Sequence, residues 1–239
     1  MLRLHRLAAT LALFGLSATA LAQNQQQGLS GQVAFGYLAT SGNSENENMS
    51  LNFSGDYYTE VWQHSLEGLA VRATSSKVTT AEAYGLQWQS RRELADEHNY
   101  IFGLAAWNKD KFSGYDQQIR EVVGYGRRVL DNEKHRFDAE LGVGFRQSDL
   151  RDGTSEDDNI ARLSGNYEWQ ISETAKFNQL LAVESGSDNT YTESVSKLTA
   201  DIWENFAIVL SYTIKNNSDV PAGTQKRDTF TAVSLEYSF

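Results

Sequence analysis

The chain has 239 residues, with 21 basic against 31 acidic side chains, a formal charge of −10, no cysteine and a single proline. That acid excess excludes a nucleic-acid partner, whose phosphates it would repel. The absence of cysteine excludes disulfide staples and the acylated cysteine of a lipoprotein.

Residues 1–22 carry a basic start (Arg3, His5, Arg6), an apolar run to Leu21 and a small-x-small end at Ala20-Leu21-Ala22, the pattern of a cleaved signal peptide. Cleavage before Gln23 leaves residues 23–239 as one domain carrying 19 basic and 31 acidic groups. No later apolar run approaches the roughly 18 residues that a membrane helix needs, so any span has to be made of strands.

After a polar leader at 23–27, residues 28–39 alternate, with Leu29, Val33, Phe35 and Tyr37 on one face and Gln32, Ala34 and Gly36 on the other. A turn-rich stretch at 40–45 follows. Met49, Leu51, Phe53 and Tyr57 then oppose Ser50, Asn52, Ser54 and Asp56. The strand at 62–72 leaves its phase open, because Trp62, Leu66 and Ala70 compete with Val61, Leu69 and Val71. A polar loop is expected over 73–80, after which Tyr84, Leu86 and Trp88 alternate with Gly85, Gln87 and Gln89 up to Arg91 and Arg92. Past a tight turn near 97, Tyr100, Phe102, Leu104 and Ala106 form an apolar face, followed by a polar loop at 108–115.

Ile119, Val123, Tyr125 and Val129 oppose Arg120, Gly124, Gly126 and Arg128, and the next strand sets Phe137, Ala139, Leu141, Val143 and Phe145 against Asp138, Glu140, Gly142, Gly144 and Arg146. A long acidic loop is expected over 148–158. Beyond it Ala161, Leu163, Tyr167, Trp169 and Ile171 oppose Arg162, Ser164, Asn166 and Glu168. Strands containing Phe177, Leu181 and Val183, then Leu198, Ala200 and Ile202, then Phe206, Ile208, Leu210, Tyr212 and Ile214 follow, with loops at 185–189 and 215–227. The last segment, 229–239, puts Val233, Leu235, Tyr237 and Phe239 on one face.

The sum is an all-β chain of about twelve strands near the roughly 9 to 11 residue spanning length, joined alternately by long polar loops and tight turns. That is the pattern of a transmembrane antiparallel up-and-down β-barrel whose tight turns, near residues 59, 97, 132, 173 and 204, share one end. Trp62, Trp169 and Trp203 lie beside those turns, where an interfacial aromatic girdle belongs.

Three stretches carry a family resemblance: Thr40-Ser41-Gly42-Asn43-Ser44, Asp188-Asn189-Thr190-Tyr191-Thr192-Glu193, and residues 218–229 running into Leu235-Glu236-Tyr237-Ser238-Phe239. With these the chain resembles the YdiY-like family of uncharacterised outer-membrane β-barrels, known as salt-induced outer membrane proteins. The resemblance implies location and fold, and brings no activity or catalytic residue. The closing strand also looks like the C-terminal strand of bacterial outer-membrane barrels, in which Val233, Leu235, Tyr237 and Phe239 would be the signal read by the barrel-assembly machinery. Lipid and lipopolysaccharide are the further partners implied, and no cofactor is.

No enzyme is expected. His64, His98 and His135 all fall at the tight-turn end, away from the outer leaflet, and lack the spacing of a zinc site. The candidate site is the lumen, where Arg91, Arg120, Arg146 and Arg162 share a face with Asp138, Glu140, Glu168 and Glu184. Two readings stand: a charged constriction selecting small charged solutes, or a paired network that blocks a narrow bore. The acidic cluster Asp149, Asp152, Glu156, Asp157 and Asp158 reads as a solvated loop, with divalent cations shared with lipopolysaccharide as its alternative. A soluble exported barrel binding an apolar ligand would invert the faces.

Overall fold

The computed structural model describes residues 28–40, 46–96, 98–111, 115–151, 153–220 and 225–239. The expected signal peptide and leader, the turn at 41–45, Asp152 and Pro221 lie outside them. Twelve strands follow in chain order: β1 (Gly28–Thr40), β2 (Asn46–Tyr58), β3 (Trp62–Ser75), β4 (Val78–Glu93), β5 (Asn99–Asp110), β6 (Tyr115–Asp131), β7 (His135–Leu150), β8 (Ser155–Ser172), β9 (Ala175–Ser185), β10 (Thr190–Trp203), β11 (Phe206–Asn217) and β12 (Arg227–Ser238). Each pairs antiparallel with its chain neighbours, and β12 pairs with β1, so the sheet closes on itself. Closure removes the free edges that would otherwise leave backbone groups unpaired.

Alternation sets the two surfaces. In β7, Leu141 and Val143 are 63% and 64% exposed, while Asp138 and Arg146, on the alternate positions, are 3% and 2% exposed. A soluble fold would bury the first set and wet the second. Here the apolar side chains form a continuous outer belt and the charged ones line the lumen, which is the transmembrane barrel arrangement. On β7 that belt runs from Phe137 to Phe145, about 30 Å of strand at ~3.3 Å per residue. Above it the outward residues turn polar, Gln147 and Asp149 facing Asp157 and Ser155 on β8. The wall therefore continues past the belt at the loop end.

Several expectations are corrected. The strands are 11 to 18 residues long rather than about 10, because a hydrogen-bonded ladder continues through polar residues once lipid has ended. The polar loop expected over 73–80 is a two-residue hairpin: Ser76 and Lys77 take φ of 51° and 67°, the left-handed pair of a tight β-turn. The loops expected at 148–158 and 215–227 shrink likewise to 151–154 and 218–226. The phase left open in β3 is fixed by register: Leu66 pairs with outward Trp88, so Leu69 and Val71 point in.

The apolar face of β5 points into the barrel, opposite to those of its neighbours. Tyr100, Phe102, Leu104 and Ala106 are 0–5% exposed and pack with Val122 and Ile160. Room for the rings comes from glycines on the facing strands. A side chain at Gly126 would occupy the Tyr100 ring, and one at Gly124 would meet Phe102 at 2.7 Å. The turn-end girdle is aromatic as expected, Trp62, Trp169 and Trp203 being 39%, 40% and 73% exposed, and His64 stacks between Trp62 and Trp88.

Candidate functional site

The lumen charges gather into two tiers with the inward apolar cluster of β5 between them. The lower tier, at the turn end, centres on Asp138 and Glu140 of β7. Arg91, reaching from β4, places Nη2 3.0 Å from Glu140 Oε1 and Nη1 3.4 Å from Asp138 Oδ2. Gln89 and Tyr100 also donate to Glu140 Oε1, at 2.8 and 3.2 Å, and Ser164 donates to Oε2 at 3.2 Å. Arg136 and Arg128 reach Asp138 at 3.3 and 3.7 Å, and Arg128 donates to Glu93 at 3.2 Å. Alternation puts all these groups on one surface, and the sheet's curvature brings β4 and β7 within one arginine's length.

The upper tier lies toward the loop end. Arg120 of β6 donates to Glu184 of β9 at 2.8 Å, and Arg162 of β8 approaches the same oxygen at 3.7 Å. The Arg120 guanidinium also sits 5.7 Å from the Tyr191 ring centre. Arg146 donates to Asp158 at 2.8 Å and to the Asn189 carbonyl at 2.7 Å, while Asp158 accepts from the Ser187 backbone and hydroxyl, both at 2.7 Å. The connection at 186–189 is thereby drawn inward over the ion pair.

Seven of the expected lumen residues are thus brought into ion pairs: Arg91 with Asp138 and Glu140, Arg120 and Arg162 with Glu184, and Arg146 with Asp158. Glu168 stands apart, on the lumen face in register with Arg136 near the turns. Asp158 was expected in a solvated loop. It is 4% exposed, inside β8 and paired with Arg146, while Asp149, Glu156 and Asp157 remain at the rim. Arg128, Arg136, Tyr100 and Tyr191 belong to the site without having been singled out. The signal available for Arg128 was its lumen parity with Arg120; for Tyr100, the glycines at 124 and 126.

These tiers are not saturated. Arg120 Nε, Arg146 Nη1, Arg162 Nε and Glu184 Oε2 are buried and have no protein hydrogen-bond partner. Charged atoms of this kind require water, since an unpaired buried charge costs several kcal/mol, on the order of 3–5 for a broken pair.

The histidines serve elsewhere. His64 Nδ1 lies 2.9 Å from Ser90 Oγ on the outward face, and His135 Nδ1 lies 2.8 Å from the Tyr167 hydroxyl, each imidazole stacked among aromatic rings. Among the described residues no group of three or more His, Asp or Glu is arranged to hold a metal ion.

Comparison with known proteins places the chain further. The family model described as "Protein of unknown function, DUF481" matches residues 33–239. The Escherichia coli (strain K12) protein YdiY, named as uncharacterized, is 34% identical over 209 residues, covering 87% of this chain and 82% of its own. Among solved structures, the translocator domain of the autotransporter NalP from Neisseria meningitidis overlaps at a TM-score of 0.49 and 12% identity, covering 88% of each chain. The KdgM porin in complex with disordered oligogalacturonate overlaps at 0.48 and 12%, covering 87% of this chain and 99% of that one. With the family model spanning all but its first part and a third of its residues shared with YdiY, the chain belongs to the DUF481 family.

Proposed function

We propose that the chain is a non-enzymatic β-barrel of the Gram-negative outer membrane, exported by removal of residues 1–22, and that it is a narrow passive channel for small ions. The carrying observation is the set of buried, charged lumen atoms without protein partners in both directions of charge, at Arg120, Arg146, Arg162 and Glu184. A dry plug would leave them unsolvated, whereas a hydrated bore satisfies them. The outward belt supports the membrane setting, because dozens of large apolar side chains stand exposed on it. Lipid and lipopolysaccharide then contact this belt and the loop rim, and the strand bearing Val233, Leu235, Tyr237 and Phe239 is what the assembly machinery would read.

The test is electrical. The mature chain is folded in detergent, its barrel verified by heat-modifiable gel migration, and single-channel currents are recorded in planar bilayers. Resolved, steady steps are expected. A second reading, a plugged structural barrel with a role in envelope stress, is favoured by the inward cluster of Tyr100, Phe102, Leu104 and Val122; silence from verified barrels would establish it over the channel. Recovery of the protein from washed membranes without detergent would return the soluble, apolar-ligand alternative.

A further inference from the structure

The lumen is lopsided. The wall from β4 to β9 sends in every charged group of the two tiers and the apolar cluster between them, and only Tyr191 of β10 joins them, against Arg120. The wall from β10 through β12 and β1 to β3 sends in many small polar groups, among them Gln32, Ser50, Asn52, Ser54, Ser211 and Ser234, together with Leu69, Val71 and Phe230. The cross-lumen ties span only three strand steps, β4 to β7 and β6 to β9, so they cut off one side of the bore and leave the other.

Solvent reaches part of this second wall: Ser50 and Ser234 are 8% and 6% exposed, but two charged side chains on it are open to water. Glu67 lies on the inward face of β3, in register with Ser54 and Gln87, and is nevertheless exposed; Lys197, inward on β10 beside Asn178 and Ser211, is exposed as well. An inward side chain that meets water marks where the lumen is open. On the opposite wall Arg120, Arg146, Arg162 and Glu184 are 1–7% exposed.

The charges divide too. Along β4 to β9, Arg91, Arg120, Arg128, Arg136, Arg146 and Arg162 each lie within salt-bridge reach of a carboxylate on their own wall, drawn from Glu93, Asp131, Asp138, Glu140, Asp158 and Glu184. The open wall carries Asp56, Glu67, Asp201, Asp228 and Glu236 on its inward face, against Lys197 and, at its border on β9, Lys176. Lys215 and Glu193 cancel each other at 3.9 Å. At the loop end Asp110 lies within electrostatic reach of Asp228, adding acid to the mouth.

Resting on the channel reading, we infer that the passage runs off-centre along the β10–β12 and β1–β3 wall and selects small cations, through Glu67 and Glu236, rather than anions through the lumen arginines. The arginines are held by carboxylates and turned away from the path. A mobile ion meets instead a polar wall with an acid surplus, which concentrates cations and repels anions.

The experiment uses the verified barrel in planar bilayers under a steep KCl gradient. The expected reversal potential has the sign of potassium permeation. The Glu67→Gln/Glu236→Gln pair should lower the potassium-to-chloride permeability ratio severalfold while steps remain resolved. Acidifying the bath through the carboxylate range should weaken the wild-type preference in the same direction, a readout that does not depend on the variant folding. A wild-type potential of chloride sign overturns this inference and leaves the channel standing. A potassium preference unmoved by both the double substitution and acidification also overturns it. Verified barrels that pass no current overturn the channel reading, and this inference with it.

Discussion

Glu184 is the most exacting place to perturb the barrel. It is 1% exposed, accepts from Arg120 at 2.8 Å and has Arg162 at 3.7 Å, both arginines being 7% exposed. Glu184→Gln keeps the volume and removes the only counter-charge either arginine has in an ion pair described here. Breaking a buried pair in this way costs about 3–5 kcal/mol, and lumen water reaching Arg162 Nε should hold the value near the lower figure. Removing a guanidinium as well, in Arg120→Met/Glu184→Gln, should recover part of that loss, giving a coupling energy of about 1–3 kcal/mol in a double-mutant cycle. The assay is reversible denaturant unfolding in detergent, followed by tryptophan fluorescence. If Glu184→Gln costs less than about 0.5 kcal/mol and the two substitutions add, the arginines are individually solvated and the cross-lumen tie does not hold the wall.

Phe102→Ala removes a ring 5% exposed among Tyr100, Leu104 and Val122, and should cost about 3–5 kcal/mol in the same unfolding assay, with single-channel conductance rising as the bore gains volume. At the β3–β4 hairpin, Ser76→Asn/Lys77→Gly supplies residues suited to φ of 51° and 67° and should stabilise by about 1 kcal/mol, read as a raised unfolding midpoint. In the β4–β5 turn the Asn99 backbone N–H, with help from its side chain, holds the Asp96 carboxyl below its ordinary range. A depressed folded-state value means that the contribution is full above the ordinary carboxylate range and is lost as pH falls through the lowered one. Asp96→Asn should therefore flatten the acid limb of the midpoint-against-pH curve; an unchanged limb would refute that assignment.

The barrel was legible in the chain because lipid enforces a strict rule: each strand shows one apolar face, and in β7 Phe137 to Phe145 against Asp138 to Arg146 leaves no second choice. β5 escaped the rule, since Ile101 and Ala105 make its other face acceptable to lipid. Only the glycines at 124, 126, 142 and 144, two strands' worth of room for rings, disclose which way Tyr100 and Phe102 turn. Asp158 was hidden by its neighbours Glu156 and Asp157, which read as a solvated run, while its partner Arg146 is near only through strand pairing. The hairpin at Ser76 and Lys77 lacks the Asn or Gly that announces such turns. Which arginine meets which acid depends on curvature across three strands, and no one-dimensional period carries that.

The closing joint has a mechanical meaning. β1 meets β12 over four residue pairs, with Gly31 and Phe239 exchanging two further backbone bonds at 2.9 Å, whereas every other neighbouring pair runs over eleven to fifteen. Beyond Phe35 and Leu235 no further residue pair is in register, although Gly36 still lies against Val233 and Ser234. The wall is in effect a split ring, stiff around eleven joints and compliant at the twelfth. Sideways load from the surrounding bilayer is taken up first by widening at that slit, on the small-residue side of the bore, and the far wall, braced by its ion pairs, keeps its curvature.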